Sequence, residues 1–134
     1  MKKAFWLLTC GAVVAAILFL SRTPSANAVP EFKNEFVGKY VKADSADAKD
    51  KAFADACEKA KCNICHAGKT KKERNAYGAT LGKLLNKETD KENKEKIRAS
   101  LEKAAGVKSK PDDPKSPTFG ELISAGELPG GQSK

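Results

Sequence analysis

The sequence predicts an all-α domain. Five segments carry apolar residues at helical spacing, three Thr-x-x-Glu sequences are typical of helix N-termini, and no strand-like alternation persists beyond a few residues. No internal repeat is present, and residues 29–134 are enough for one small domain and not for two. We therefore expect about five helices that share one core.

The first two predicted helices precede a short cysteine-containing sequence. The first covers about residues 31–42, where the apolar stripe consists of Phe32, Phe36, Val37, Tyr40 and Val41. After polar residues that interrupt the pattern, a second stripe is formed by Ala48, Ala52, Phe53, Ala56, Cys57 and Ala60. The second helix is thus expected to end where the sequence Cys62-Asn63-Ile64-Cys65-His66 begins.

Three capping boxes predict where the later helices begin. They lie at Thr70 to Glu73, Thr89 to Glu92 and Thr118 to Glu121. The stripes that follow them are Tyr77, Leu81, Leu84 and Leu85, then Ile97, Leu101, Ala104 and Ala105, and finally Phe119, Leu122 and Ile123. Pro111, Pro114 and Pro117 predict an exposed, extended connection before the last helix. The tail at residues 129–131 is expected to fray.

Residues 1–28 have the features of a secretory signal peptide. Lys2 and Lys3 form a basic start, residues 4–20 are largely apolar, and Ala26-Asn27-Ala28 matches a cleavage site. We expect a mature domain at residues 29–134 that is periplasmic or secreted. The alternative is an uncleaved anchor, because an apolar segment at residues 4–20 is only just shorter than a bilayer span. The domain would then be held at the membrane.

The net charge is moderately positive. The full chain carries +8, and removal of Lys2, Lys3 and Arg22 from its 25 basic residues leaves 22 against 17 acidic ones, or +5. The lysines are mixed with Asp and Glu, which is typical of a solvated surface. A field of this sign would steer the domain toward an acidic partner protein. Nucleic acid is not expected as a partner of an exported protein.

The most specific chemistry lies at Cys62, Cys65 and His66. The pattern C-x-x-C-H is the attachment signature of c-type haem, in which each cysteine forms a thioether with a haem vinyl group. The adjacent histidine then ligates the iron, and His66 is the only histidine in the chain. The expected cofactor is one covalent haem c, attached to Cys62 and Cys65, with His66 as its iron ligand.

A basic, exported, all-α domain with a single C-x-x-C-H motif resembles the small monohaem cytochromes c of class I. The resemblance covers Cys62 to His66 firmly, and residues 74–78 also resemble an Asn-x-aromatic-Gly stretch that follows the haem motif in some small bacterial periplasmic proteins. It implies about five helices around one haem and a role in electron transfer between periplasmic or membrane redox partners, without enzymatic activity.

The chain departs from that family at the second axial ligand. Class I cytochromes usually supply a methionine, but the only one here is Met1, within the predicted signal peptide. The distal ligand must then be Lys, Tyr, Asn, the new amino terminus, water or nothing from this chain. An open iron position would permit an alternative function as a haem-based ligand sensor or haem enzyme. No second histidine is present for proton transfer, although Arg74 or Arg98 could stabilise charge.

Cys57 raises other metal sites. With Cys62 and Cys65 it matches the start of a plant-type iron–sulfur spacing, but residues 29–134 have no fourth thiol. A zinc site would require the neighbouring Cys65 and His66 to meet one tetrahedral ion. No βαβ pattern supports a thioredoxin-type pair. We predict that Cys57 is a small apolar residue within the core.

Two tyrosines complete the set of candidates. Tyr40 and Tyr77 are predicted to pack with their hydroxyls near the surface. The alternative is that Tyr77 bonds a haem propionate or approaches the iron. Lysines such as Lys83 are candidate distal ligands by composition only, because no spacing distinguishes one from another.

Overall fold

The fold is a bundle of short helices. A computed structural model describes residues 30–68 and 71–131. Its helices are α1 (Pro30–Tyr40), α2 (Ala48–Ala60), α3 (Ala76–Leu84), α4 (Lys94–Ala105) and α5 (Phe119–Ser124), with a 3-10 helix at Lys61–Ile64 directly after α2. The extended pairing in these residues consists of two isolated bridges. The predicted all-α class with five helices is confirmed for this part of the chain.

The core forms around α4, which packs against α1, α3 and α5. Ile97, Leu101 and Ala104 on α4 are fully buried. Tyr77 of α3 stands between two other helices: its ring centroid lies 5.7 Å from Phe36 of α1 and 5.2 Å from Phe119 of α5. Both pairs are edge-to-face, the arrangement that aromatic quadrupoles favour. These rings join three helices around one buried point.

The capping boxes predict one helix start correctly. At α5, Thr118 accepts a hydrogen bond from the Glu121 amide (3.1 Å) and Glu121 accepts one from the Thr118 amide (2.6 Å). At α4 the cap is Asn93, whose Oδ1 accepts from the Lys96 amide at 2.9 Å. The Thr89 hydroxyl instead bonds Asp90 at 3.1 Å. Asparagine caps helices as well as threonine does, so Asn93, which directly precedes the first helical residue, is the N-cap of α4.

The start of α3 was also predicted wrongly. The helix begins at Ala76 with Asn75 as its cap, whereas the predicted box placed the cap at Thr70, which lies outside the described residues. Residues 71–75 therefore connect the cysteine motif to α3 instead of forming its first turn. This connection becomes important at the functional site.

The proline-rich segment is compact, not extended as predicted. Backbone bonds from Ser109 to Pro117 (2.9 Å) and from Phe119 to Val107 (3.0 Å) close it at its base. The buried Ser116 hydroxyl makes contacts with the carbonyl oxygens of Lys110 at 3.0 Å and Asp113 at 2.7 Å. A polar side chain inside the loop thus supplies the bonds that prolines cannot donate.

The tail is ordered by packing. Pro129 is buried and Leu128 packs against the core, so the fraying expected at residues 129–131 is not what the structure shows at these positions. Gly130 lies against the Asn75 side chain so closely that an added Cβ would overlap it. Burial of apolar surface holds this segment in place.

The predicted signal peptide, residues 1–28, and the anchor alternative at residues 4–20 lie outside the described residues. Within residues 30–68 and 71–131, no helix combines the length and apolar character that a bilayer crossing needs. The predicted start of the mature domain at residue 29 likewise precedes the described part.

Thr118→Ala should destabilise the domain by about 1 kcal/mol, because it removes the cap of α5. Thr89→Ala is the matched control: its hydroxyl caps no helix, so we expect a loss of only a few tenths of a kcal/mol. Urea unfolding followed by circular dichroism measures both. Equal losses would contradict the assignment of the cap to Thr118 alone.

Candidate functional site

The C-x-x-C-H motif begins where α2 breaks. Lys61 has φ of +50°, the single positive value among the described non-glycine residues, and it stands directly before Cys62. Its amide still donates to the Cys57 carbonyl. Such a conformation costs about 1–3 kcal/mol and persists only where surrounding contacts enforce it. The break separates the motif from the direction of α2 and starts the 3-10 helix.

Backbone bonds then close the motif into a turn. The amides of Cys65 and His66 both donate to the Cys62 carbonyl, at 3.2 and 3.1 Å. The turn thus holds the three predicted site residues on one short segment, although their side chains do not converge on a single point. Cys62, Cys65 and His66 are each half-buried, and both thiols are free.

Burial changes the acidity of two of the cysteine thiols. Burial, and to a lesser extent the nearby Cys62, raise the pKa of the Cys65 thiol to about 12, although Arg74 opposes the shift. Burial likewise raises the pKa of Cys57 to about 11, against a lowering by Lys33. A thioredoxin-type pair is disfavoured on other grounds, because the described residues form helices and two isolated bridges and no βαβ unit. Cys57 is 2% exposed in the core, which confirms the prediction of a small apolar role.

The His66 ring is oriented by the main chain. Its Nδ1 lies 3.2 Å from the Glu73 carbonyl oxygen. A carbonyl can only accept, so the neutral ring carries its proton on Nδ1 and keeps the lone pair of Nε2 for another partner. The same carbonyl accepts from the Ala67 amide at 3.0 Å, within the antiparallel bridge between His66 and Arg74. Histidines that ligate metals are typically held in this way.

Sequence reasoning missed two residues that hold the motif. The main-chain N–H of Asn75 donates to the Cys65 carbonyl at 3.2 Å. Its side-chain nitrogen donates to the carbonyls of Asn63 and Ile64 at 3.1 Å each. Gly78 lets α3 approach the motif, since a Cβ there would overlap the Cys65 carbonyl. Both belong to the Asn-x-aromatic-Gly stretch, which was the only signal in the sequence for their role.

Tyr77 is buried completely, contrary to the predicted surface position of its hydroxyl. The side chain is 0% exposed, and among the described residues its hydroxyl has no hydrogen-bond partner. Burial raises its pKa, with Cys65 and Tyr40 contributing further. An unpaired buried hydroxyl costs about 1–3 kcal/mol. Tyr40 differs, because its hydroxyl donates to the Leu101 carbonyl at 3.2 Å.

A basic cleft is lined in part by Arg74, which lies in the connection between the motif and α3. It has a volume of about 400 Å³, and its cationic lining residues are Arg74, Lys83, Lys87 and Lys96. Asp90, also in the lining, pairs with Lys96 at 2.8 Å, and that hydrogen bond lowers the pKa of the Asp90 carboxyl. The Arg74 guanidinium packs over Gly82. Arg98 is directed elsewhere, since it pairs with Glu35 at 2.6 Å.

The residues present fit a covalently attached haem better than a metal ion held by side chains alone. Two thiols separated by two residues and an imidazole with a free Nε2 supply the required donors. Within the described ranges no three His, Cys, Asp or Glu side chains converge on one point, so Cys57 does not complete a zinc or iron–sulfur site.

No protein-family model, curated protein or solved structure matches this chain.

Tyr77→Phe should stabilise the haem-free chain by about 1 kcal/mol, because it removes a buried hydroxyl that lacks a partner. Tyr40→Phe is the matched control and should destabilise it by about 1 kcal/mol, because it removes a bonded hydroxyl. Thermal unfolding measures both changes. A loss of stability in both variants would show that the Tyr77 hydroxyl has a partner in solution.

Proposed function

We propose that this chain is an exported c-type cytochrome that binds one haem covalently and transfers single electrons between periplasmic or membrane redox partners. The observation that carries the proposal is the bond between His66 Nδ1 and the Glu73 carbonyl at 3.2 Å, within a C-x-x-C-H turn. It directs the proton to Nδ1 and leaves Nε2 as the only lone-pair donor of the ring. The motif explains the chemistry, and this contact explains how the ligand is oriented.

Each site residue has one role in this proposal. Cys62 and Cys65 provide the thioether sulfurs, and His66 provides the iron ligand through Nε2. The bound haem would supply a couple between ferrous and ferric iron. Partial burial of both cysteines shields the attachment point from bulk water. The hydrogen bond from the histidine ring to a main-chain carbonyl fixes the orientation of the ring and leaves Nε2 free.

The proposed partners carry an acidic surface. The basic cleft adjoins the motif through Arg74, which forms the bridge with His66. Lys83 and Lys87 add two further cations there, while Asp90 is already neutralised by Lys96. Complementary charge at this point would accelerate encounter near the haem and would add little affinity. This function requires no enzymatic activity and no nucleic acid.

Covalent haem is the direct test. The full precursor, expressed with a haem-maturation system, should give a haem-stained band on a denaturing gel. Cys62→Ala and Cys65→Ala should each lose one thioether and show an altered haem spectrum. Cys57→Ala is the matched control, because this thiol lies in the core and should leave attachment unchanged. Intact mass of the exported product also shows whether the chain begins at Val29.

Two results would overturn the assignment. One is unchanged covalent haem and an unchanged spectrum in both single cysteine variants. The other is a haem-free product that carries stoichiometric zinc. Retention of residues 1–28 in the membrane fraction would replace the free periplasmic form by an anchored one without changing the haem chemistry.

A second candidate function uses the distal side of the iron. Residues 29–134 contain neither methionine nor a second histidine, and the unpaired Tyr77 hydroxyl is a buried polar group near the motif that protein groups leave unsatisfied. These observations favour a sensor or haem enzyme with an open iron position. Axial methionine raises haem potential, so its absence also implies a lower potential at similar burial.

The ferrous protein should bind carbon monoxide rapidly and stoichiometrically if that position is open. Optical spectra before and after addition measure this directly. Failure to bind, together with a low-spin spectrum in both oxidation states, would show that a Lys, Tyr or other nitrogen or oxygen donor holds the iron. That result would remove the sensor candidate and support simple electron transfer.

A further inference from the structure

We propose that Asn75 is a positioning residue that sets the geometry of the C-x-x-C-H turn for haem attachment and axial ligation. This inference rests on the proposed function. The Asn75 side-chain nitrogen lies 3.1 Å from the carbonyl oxygens of both Asn63 and Ile64. These carbonyls belong to the last two residues of the 3-10 helix, where a helix supplies no further N–H groups to bond them. An amide nitrogen has two protons, which suffice for these two carbonyls, and the His66 carbonyl lies farther from the same nitrogen, at 3.5 Å.

The same side chain joins the motif to α3. Its Oδ1 accepts from the Gly78 amide at 2.9 Å and caps the helix, while its main-chain amide donates to the Cys65 carbonyl at 3.2 Å. One residue therefore satisfies three carbonyls of the motif and one amide of α3. If α3 were displaced, the motif would lose its bonds to Asn75. If the motif were displaced, the residue that caps α3 would lose its support.

The environment of Asn75 makes water a poor substitute. The side chain is part-buried, and the tail covers it at Gly130, where a Cβ would overlap the Asn75 amide nitrogen. On the other side, Gly78 leaves no space between α3 and the Cys65 carbonyl. Close packing on both faces confines the amide to the orientation that bonds the motif.

Substitution by aspartate separates the two roles of the side chain, which caps α3 through its oxygen and bonds the motif through its nitrogen. Asn75→Asp retains the oxygen that caps α3, and aspartate caps helices as well as asparagine does. It replaces the donor nitrogen by a second oxygen that faces two carbonyl oxygens, which removes the bonds to the motif and adds repulsion. Asn93→Asp is the matched control. Asn93 caps α4 through the Lys96 amide at 2.9 Å, and α4 is remote from the motif in sequence.

The experiment compares these two variants in the full chain with the maturation system. Asn75→Asp should lower the yield of covalent haem about tenfold and change the reduction potential or spin state of what is attached. In the haem-free chain, amide hydrogen exchange at Cys65 and His66 should accelerate about tenfold. Asn93→Asp should match the wild type in all three measurements, and far-UV circular dichroism should show equal helix content in both variants.

The outcomes separate this inference from the proposed function. A wild-type chain without covalent haem refutes the proposed function and with it the use of Asn75 for haem. A wild-type chain with haem, together with an Asn75→Asp variant that has normal yield, potential and spectrum, refutes the positioning role alone. Unchanged amide exchange at Cys65 and His66 also refutes it, whatever the haem content.

Discussion

The contact between the first turn of α3 and the backbone of Cys65 determines the geometry of the rest of the site. Gly78 permits this contact because a larger residue would overlap the Cys65 carbonyl. Asn75 holds it by bonding both sides. The His66 ring is then oriented by Glu73, two residues before Asn75. The short connection that precedes α3 therefore contacts Cys65 and His66 directly, while Cys62 lies on the 3-10 helix that follows α2.

The core reinforces that contact from the other side of α3. Tyr77 follows Asn75 by two residues, and its ring packs edge-to-face with Phe36 and Phe119. The helix that presses on the motif is thus fixed to α1 and α5 by aromatic packing, which adds about 0.5–1.5 kcal/mol per pair beyond area burial. The same burial leaves the Tyr77 hydroxyl without a partner among the described residues.

Charge is divided between two faces of the domain. Ion pairs from Lys39 to Glu102 and from Arg98 to Glu35, both at 2.6 Å, lie between α1 and α4. Such exposed pairs contribute little to stability, but their carboxylates neutralise Lys39 and Arg98 on that face. Around the basic cleft, Arg74, Lys83 and Lys87 outnumber the single carboxylate of Asp90. The cleft therefore carries a local excess of positive charge, which can steer an acidic partner.

The helical class, the number of helices and the three motif residues were determined by the sequence, because apolar periodicity and a five-residue motif are local properties. Cys57 was also predicted correctly, since its place on an apolar stripe implies burial. Helix starts were decided by tertiary contacts. Asn75 caps α3 because its amide also reaches the motif carbonyls, a partner that a local capping pattern does not contain.

The Tyr77 hydroxyl and the tail show the same limit. Tyr77 is buried because Phe36 and Phe119 converge on it from distant parts of the chain. The tail is ordered because Leu128 packs against the core, and Gly130 lies against Asn75. The residues that contact Tyr77 and Gly130 are distant in sequence, so no local sequence pattern predicts these contacts. The sequence determined which atoms are proposed to bind a haem, and the tertiary structure decided how they are held, because orientation depends on hydrogen bonds and packing between segments far apart along the chain.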